Sequence, residues 1–157
     1  MKNNFIYAPL TILALLVMFP ACAQKKDVPE AVKKAFVSRF AEAKSIKWSS
    51  ESVTEFEAEF KLNGNEMSAN FDPQGTWMET ESELTASDLP PTVLKSIQTD
   101  FNGFKIKEIA KIETPDQGIS FEVAIKKAKE QFELVLDGSG KLLKKVDLNK
   151  EEEGEEK

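Results

Sequence analysis

The sequence predicts an α+β fold in which one unit, a helix followed by a four-stranded antiparallel sheet, is written twice in tandem. Three observations predict it. Residues 27 to 40, "DVPEAVKKAFVSRF", align with residues 88 to 101, "DLPPTVLKSIQTDF", at an offset of 61. After each of these segments the apolar spacing changes from four residues to two, the signature of a helix giving way to half-buried strands. Finally, "FDPQGTW" (71 to 77) returns as "LDGSGKL" (136 to 142) at an offset of 65.

In the first pair of segments Asp27 meets Asp88, Pro29 meets Pro90, Val32 meets Val93, Phe36 meets Ile97 and Phe40 meets Phe101. Apolar residues four apart occupy one face of a helix. Each segment opens with an Asp suited to an N-cap and an early Pro suited to the first turn, and Asp27 with Glu30 has capping-box spacing. Asn102-Gly103 gives the second helix a stop.

The strands follow in order. Phe56, Ala58 and Phe60 alternate with Glu55, Glu57 and Glu59, and Met67, Ala69 and Phe71 alternate with Glu66, Ser68 and Asn70. The second copy repeats this at an offset of 65 with Phe121, Val123 and Ile125, then Phe132, Leu134 and Leu136. Short strands around Ile46 to Trp48 and Ile106 to Ile109 precede these pairs, and Thr76 to Glu81 and Lys141 to Val146 follow them. Alternation of this kind marks sheets with one buried and one wet face. The offset grows by four because the second copy is longer between its first two strands, which marks "ETPDQG" (113 to 118) as a protruding loop. "LNGN" (62 to 65) reads as a hairpin turn.

The repeated Asp-x-x-Gly loops admit two readings. A calcium site needs six to eight oxygen ligands, usually several carboxylates close together, and each loop offers one Asp. A turn needs only Asp bonded to its own backbone and Gly at positive φ. The turn reading is the expectation, with calcium as its rival.

Residues 1 to 23 read as a secretory signal peptide: one Lys, an apolar run from Phe5 to Phe19 too short to span a bilayer comfortably, then small residues. Ala21-Cys22-Ala23 fits a small-x-small cleavage that would release a chain beginning at Gln24, while Phe19-Pro20-Ala21-Cys22 could act as a lipobox leaving Cys22 lipidated. Phe and Pro are poor lipobox residues, so release into the periplasm or medium is expected, with a lipid anchor in the envelope as the alternative. The expected domains are 24 to 86 and 87 to 148. Residues 149 to 157, "NKEEEGEEK", form an acidic tail expected to be disordered. No transmembrane segment is expected in the mature chain.

The chain has no His and one Cys. That excludes disulfide scaffolds, Cys-ligated metals and His-based catalysis. The net charge of -6 disfavours nucleic acid, whose binding rests on Lys and Arg. No catalytic, cofactor or metal residue is nominated. Paired Glu side chains could do acid and base work, yet the sequence supplies no apolar pocket to raise one pKa. The candidate partner-binding surface is Glu55, Glu57, Glu59 and Asn70 on the uncovered sheet face, with Trp77 as an aromatic anchor if exposed. The plainer reading of the same carboxylates is a solvated sheet face, and of Trp48 and Trp77 a place in the core.

"VPEAVKKAF", "IKW", "FEAEF", "SANFDPQGTWMETE", "LPPTVLKSI", "FEVAI" and "FELVLDGSGKLL" together resemble the PepSY-like family of Bacteroidetes envelope proteins, related in fold to the beta-lactamase inhibitor protein. The resemblance covers roughly residues 27 to 147. It implies tandem α+β repeats whose sheets form one extended curved surface, which in the inhibitor relatives grips an enzyme. It implies no catalytic residues. The expectation is therefore a non-enzymatic exported binding module, an inhibitor or modulator of another exported protein. The alternative is an envelope component that senses a small ligand or calcium.

Overall fold

The computed structural model describes residues 27 to 149 except Val53; the signal peptide, Cys22 and nearly all of the acidic tail lie outside the described residues. The elements run α1 (Glu30–Arg39), β1 (Lys44–Ser52), β2 (Glu55–Leu62), β3 (Asn65–Phe71), β4 (Trp77–Glu83), α2 (Pro91–Asp100), β5 (Lys105–Thr114), β6 (Gly118–Lys127), β7 (Glu130–Asp137) and β8 (Leu142–Asp147). This is helix then four strands, twice. The two sets of strands do not form separate sheets: all eight join in one antiparallel sheet in the order β1 to β8. The join is β4 with β5, where Glu81 faces Ile112 and Glu83 faces Ala110.

Each helix covers one half of the same sheet face. Val32 and Phe36 of α1 are fully buried against Phe56, Ala58, Phe60, Ala69 and Phe71. Val93 and Ile97 of α2 are buried against Ile109, Phe121, Val123, Ile125, Leu134 and Leu136. The first core is aromatic, with Phe36 edge-on to Phe60 at 5.0 Å and to Trp48 at 5.3 Å between ring centres. The second is mostly aliphatic. Burying a large apolar side chain contributes roughly 1.5–3 kcal/mol, so each helix-facing row is a principal source of stability for its half.

The Asp caps are not made. Pro29 and Pro90 stand at the N-cap positions and neither helix has a side-chain cap bond. Proline at the start displaces the Asp by two residues, out of reach of the first-turn amides. Asp88 instead closes the preceding turn, accepting from the Thr85 amide at 2.9 Å and the Thr85 hydroxyl at 2.6 Å. Nor does 113 to 118 protrude as a loop. Glu113 pairs with Ile119 and Thr114 with Gly118, so the extra residues lengthen the β5–β6 hairpin.

Asn63 and Gly64 form the two-residue turn between β2 and β3, both at positive φ. The Asp-x-x-Gly loops form one structure used twice. Asp72 Oδ1 accepts from the amides of Gln74 (2.9 Å) and Thr76 (2.8 Å). Asp137 Oδ1 accepts from those of Ser139 (2.9 Å) and Lys141 (3.1 Å). Gly75 and Gly140, each at φ +85°, sit against the helices: a Cβ on Gly75 would lie 2.6 Å from the Ala31 carbonyl oxygen, and one on Gly140 2.6 Å from that of Thr92. Ala31 and Thr92 are themselves 61 positions apart, so the loop-to-helix contact repeats with the repeat.

Candidate functional site

Side chains on a strand alternate between faces, and the register places one set on the face that neither helix covers. Glu55, Glu57 and Glu59 of β2 lie there, opposite Asn70 and Ser68 of β3, which lie opposite Glu79 and Glu81 of β4. Farther along, Glu83 faces Ala110, which faces Glu122, which faces Val135; Glu108 faces Ala124, which faces Glu133. The helix-free face thus carries glutamates on β2, β4, β5, β6 and β7.

It is not uniformly wet. Glu122 and Glu133 are 4% and 3% exposed, and Ala110, Ile112, Ser120 and Val135 beside them are also buried. Bulges between β3 and β4, within β5 and between β7 and β8 increase the local twist and coil the sheet. Burial on a face that neither helix covers means that the sheet curls about its own middle, and Glu81 of β4 comes within electrostatic reach of Glu133, three strands away. Burial, then the Glu133 charge, raises the Glu81 carboxyl above its usual range. Glu79 is pushed up to about 7, by burial first and then by the charges of Glu81 and Glu55.

Four of the five surface residues expected from the sequence come together here. Asn70 Nδ2 donates to Glu55 Oε1 at 2.6 Å, Ser49 Oγ to Glu57 Oε2 at 3.1 Å, and Glu59 lies 3.8 Å from Lys47 Nζ. Trp77 is not on this face. Its ring packs against the α1 core, with Nε1 donating to the Glu79 carbonyl (2.8 Å) and Thr80 Oγ1 (2.9 Å). The Arg39 guanidinium lies 3.5 Å from the Trp77 ring centre and pairs with Glu113 at 3.1 Å, tying α1 to β5 of the second half. Trp48, too, packs against the first core.

Sequence reading missed Glu79, Glu81, Glu122 and Glu133. "ETESE" (79 to 83) alternates acid with hydroxyl, not with apolar residues, so its two faces looked alike. Thr80 and Ser82 are nevertheless buried, which makes the glutamates between them the helix-free set. Glu122 and Glu133 each interrupt an apolar strand, and that was the available signal.

The arrangement can attract and neutralise cations. Its carboxylates are spread along an open sheet, and among the described residues no group of His, Cys, Asp or Glu is disposed to hold a metal ion. No helix among the described residues is long and apolar enough to cross a membrane.

Residues 54 to 144 match the family described as "Putative beta-lactamase-inhibitor-like, PepSY-like". No curated protein matches the chain. Among solved structures, a BLIP-like protein from Bacteroides fragilis is 27% identical, with a TM-score of 0.71 over 76% of this chain and 86% of its own. A protein from Bacteroides eggerthii described as one of the "putative periplasmic proteins" is 17% identical and shares the fold, with a TM-score of 0.73 over 80% of this chain and 92% of its own.

Proposed function

The chain belongs to the PepSY-like, beta-lactamase-inhibitor-like family, and we propose that it is a non-enzymatic exported binding module whose helix-free sheet face receives a basic segment of another exported protein. The observation that carries this reading is the disposition of glutamates on β2, β4, β6 and β7 along one uncovered face. Folding does not require acids there, since neutral polar residues would solvate an outward sheet face equally well. Like charges on neighbouring strands repel, so their accumulation costs stability that a cationic partner would return. Engagement would modulate or inhibit the partner by covering its surface.

The test is capture from an envelope extract of the source bacterium by immobilised residues 24 to 157. It compares the parent chain with a Glu55→Lys/Glu57→Lys/Glu59→Lys variant and with a Val37→Asp variant on the helix side. A near one-to-one partner retained by the parent and by the Val37 variant, and lost by the charge-reversed face, is the expected result. Capture of the same partner by all three would overturn the face assignment, and capture of nothing would overturn the binding module.

A further inference from the structure

Resting on that reading, we propose that the helix-free face is proton-operated: Glu79 and Glu81 hold a proton in the empty face and release it when a cationic segment docks, so that partner affinity is set by pH. The geometry comes first. Glu79 lies across β3 from Glu57, with Asn70 between them, and Glu81 lies across β3 from Glu59, with Ser68 between them. Their flanks are therefore neutral polar residues and further carboxylates, not cations.

The charged groups facing this cluster come from every strand around it. From β2 they are Glu55, held by Asn70, together with Glu57 and Glu59; from β4 itself, Glu83; from β5, Glu108; from β6, Glu122; and from β7, Glu133. The cations of the same face are Lys47, which reaches Glu59 at 3.8 Å, Lys61, which pairs with Glu66 at 2.8 Å, Lys105 and Lys126, which sit opposite each other on β5 and β6 beyond Ala124, and Lys144 of β8, which sits opposite Val135. Among the described residues none of these lysines pairs with Glu79 or Glu81. Half-buried carboxyls surrounded by acids resist ionisation, and Glu79 accordingly titrates near 7, by burial first.

The composition makes the device legible. The chain contains no histidine. Without histidine, no side chain at its ordinary pKa changes charge between pH 6 and 8. A docked Lys or Arg favours the charged carboxylate, so docking expels the proton and affinity rises with pH. For one group near pKa 7 whose ionised form alone binds, the linkage amounts to about tenfold between pH 6 and 8.

The experiment has two arms, on residues 24 to 157. In the first, without ligand, carboxyl carbon NMR follows the glutamates from pH 4 to 9. One carboxyl of the Glu79/Glu81 pair titrating between 6 and 8, and lost in Glu79→Gln but not in the control Glu83→Gln, is expected. All carboxyls titrating below pH 5.5 would overturn the proposal whatever the partner. In the second, a hexalysine peptide is titrated calorimetrically at pH 6 and 8 in buffers of different ionisation enthalpy. About tenfold tighter binding at pH 8 with proton release is expected, with a flat profile in Glu79→Gln. Binding that is pH-independent in the parent chain would overturn the coupling while leaving the acidic docking face standing. Absence of binding at both pH values, with the first arm positive, would overturn the docking reading and the coupling together.

Discussion

Replacing Gly75 with Ala tests whether the Asp-x-x-Gly loops are structural anchors. Two costs apply. At φ +85° an L side chain is strained, and the left-handed region costs about 1–2 kcal/mol for a residue with a Cβ. The new Cβ would also lie 2.6 Å from the Ala31 carbonyl oxygen and 2.9 Å from its carbon, backbone atoms that cannot rotate away. Forcing loop and helix apart is an overpacking cost of about 1–3 kcal/mol. Gly64→Ala is the matched control, because Gly64 has φ +88° and nothing within 4 Å of the added carbon. The gain from a stiffer unfolded chain is the same for both and cancels in the difference. Gly75→Ala should therefore be less stable than Gly64→Ala by about 1–3 kcal/mol, or roughly 3–10 °C in melting temperature for a domain of this size. Urea unfolding followed by tryptophan fluorescence reads this directly. Equal midpoints and slopes for the two variants would refute the loop-to-helix contact, and Gly140→Ala against Gly118→Ala repeats the comparison in the second half.

The remaining expectations concern the junction, the core and the acidic face. Arg39→Ala removes a cation stacked on Trp77 and an ion pair to Glu113, and should cost about 1–2 kcal/mol; a Lys at that position, lacking the flat guanidinium, should restore less than half in the same unfolding assay. The Ser82 hydroxyl is buried without a partner among the described residues, so Ser82→Ala should leave stability unchanged or raise it by up to about 1 kcal/mol, and a loss above that would mean the hydroxyl is bonded. Glu79, whose carboxyl is raised in the fold, contributes stability fully present below pH 4.5 and lost as pH rises through about 7. Relative to Glu79→Gln the parent chain should thus weaken by about 1–2 kcal/mol between pH 4.5 and 8, a figure discounted for partial exposure, and parallel pH profiles of the two would contradict it. Asp72→Ala should lower the melting temperature by stranding the amides of Gln74 and Thr76, with circular dichroism melts as the readout and an unchanged melt counting against the loop's role.

The sheet was readable because both faces of most strands differ in polarity. Phe56 against Glu57, or Val123 against Glu122, states which face is covered. The paired loops were readable because Asp and Gly each have one physical task there. What sequence did not carry was distance across strands. That Glu81 approaches Glu133 depends on twist accumulated over the three strand pairs between them, which no periodicity announces. The helix caps differ from the sequence expectation for a local reason: Pro29 and Pro90 take the cap position that the spacing assigns to Asp27 and Asp88. For Trp77 the sequence left a core place and an exposed anchor both open, because the stack with Arg39 that covers it comes from a helix 38 positions earlier.

The internal repeat separates what the scaffold demands from what it carries. At helix-facing positions the two halves substitute apolar for apolar: Phe56 becomes Phe121, Ala58 becomes Val123, Phe71 becomes Leu136. In the loops Asp72 and Gly75 become Asp137 and Gly140. On the helix-free face Glu57 stays Glu as Glu122, but most of the chemistry changes class: Glu55 becomes Ser120, Glu59 becomes Ala124, Ser68 becomes Glu133, and Glu79 and Glu81 become Lys144 and Val146. The first half therefore offers a row of acids and the second a floor of small and apolar residues holding two buried carboxylates. Positions that vary in class while the fold is kept are not set by packing. A face acidic on one side and apolar on the other favours a segment that presents a cation next to an aliphatic or aromatic side chain, in a fixed orientation along the sheet. A peptide alternating Lys with Leu should on that ground bind more tightly than hexalysine of equal charge, and equal affinities would reduce the face to a simple electrostatic surface.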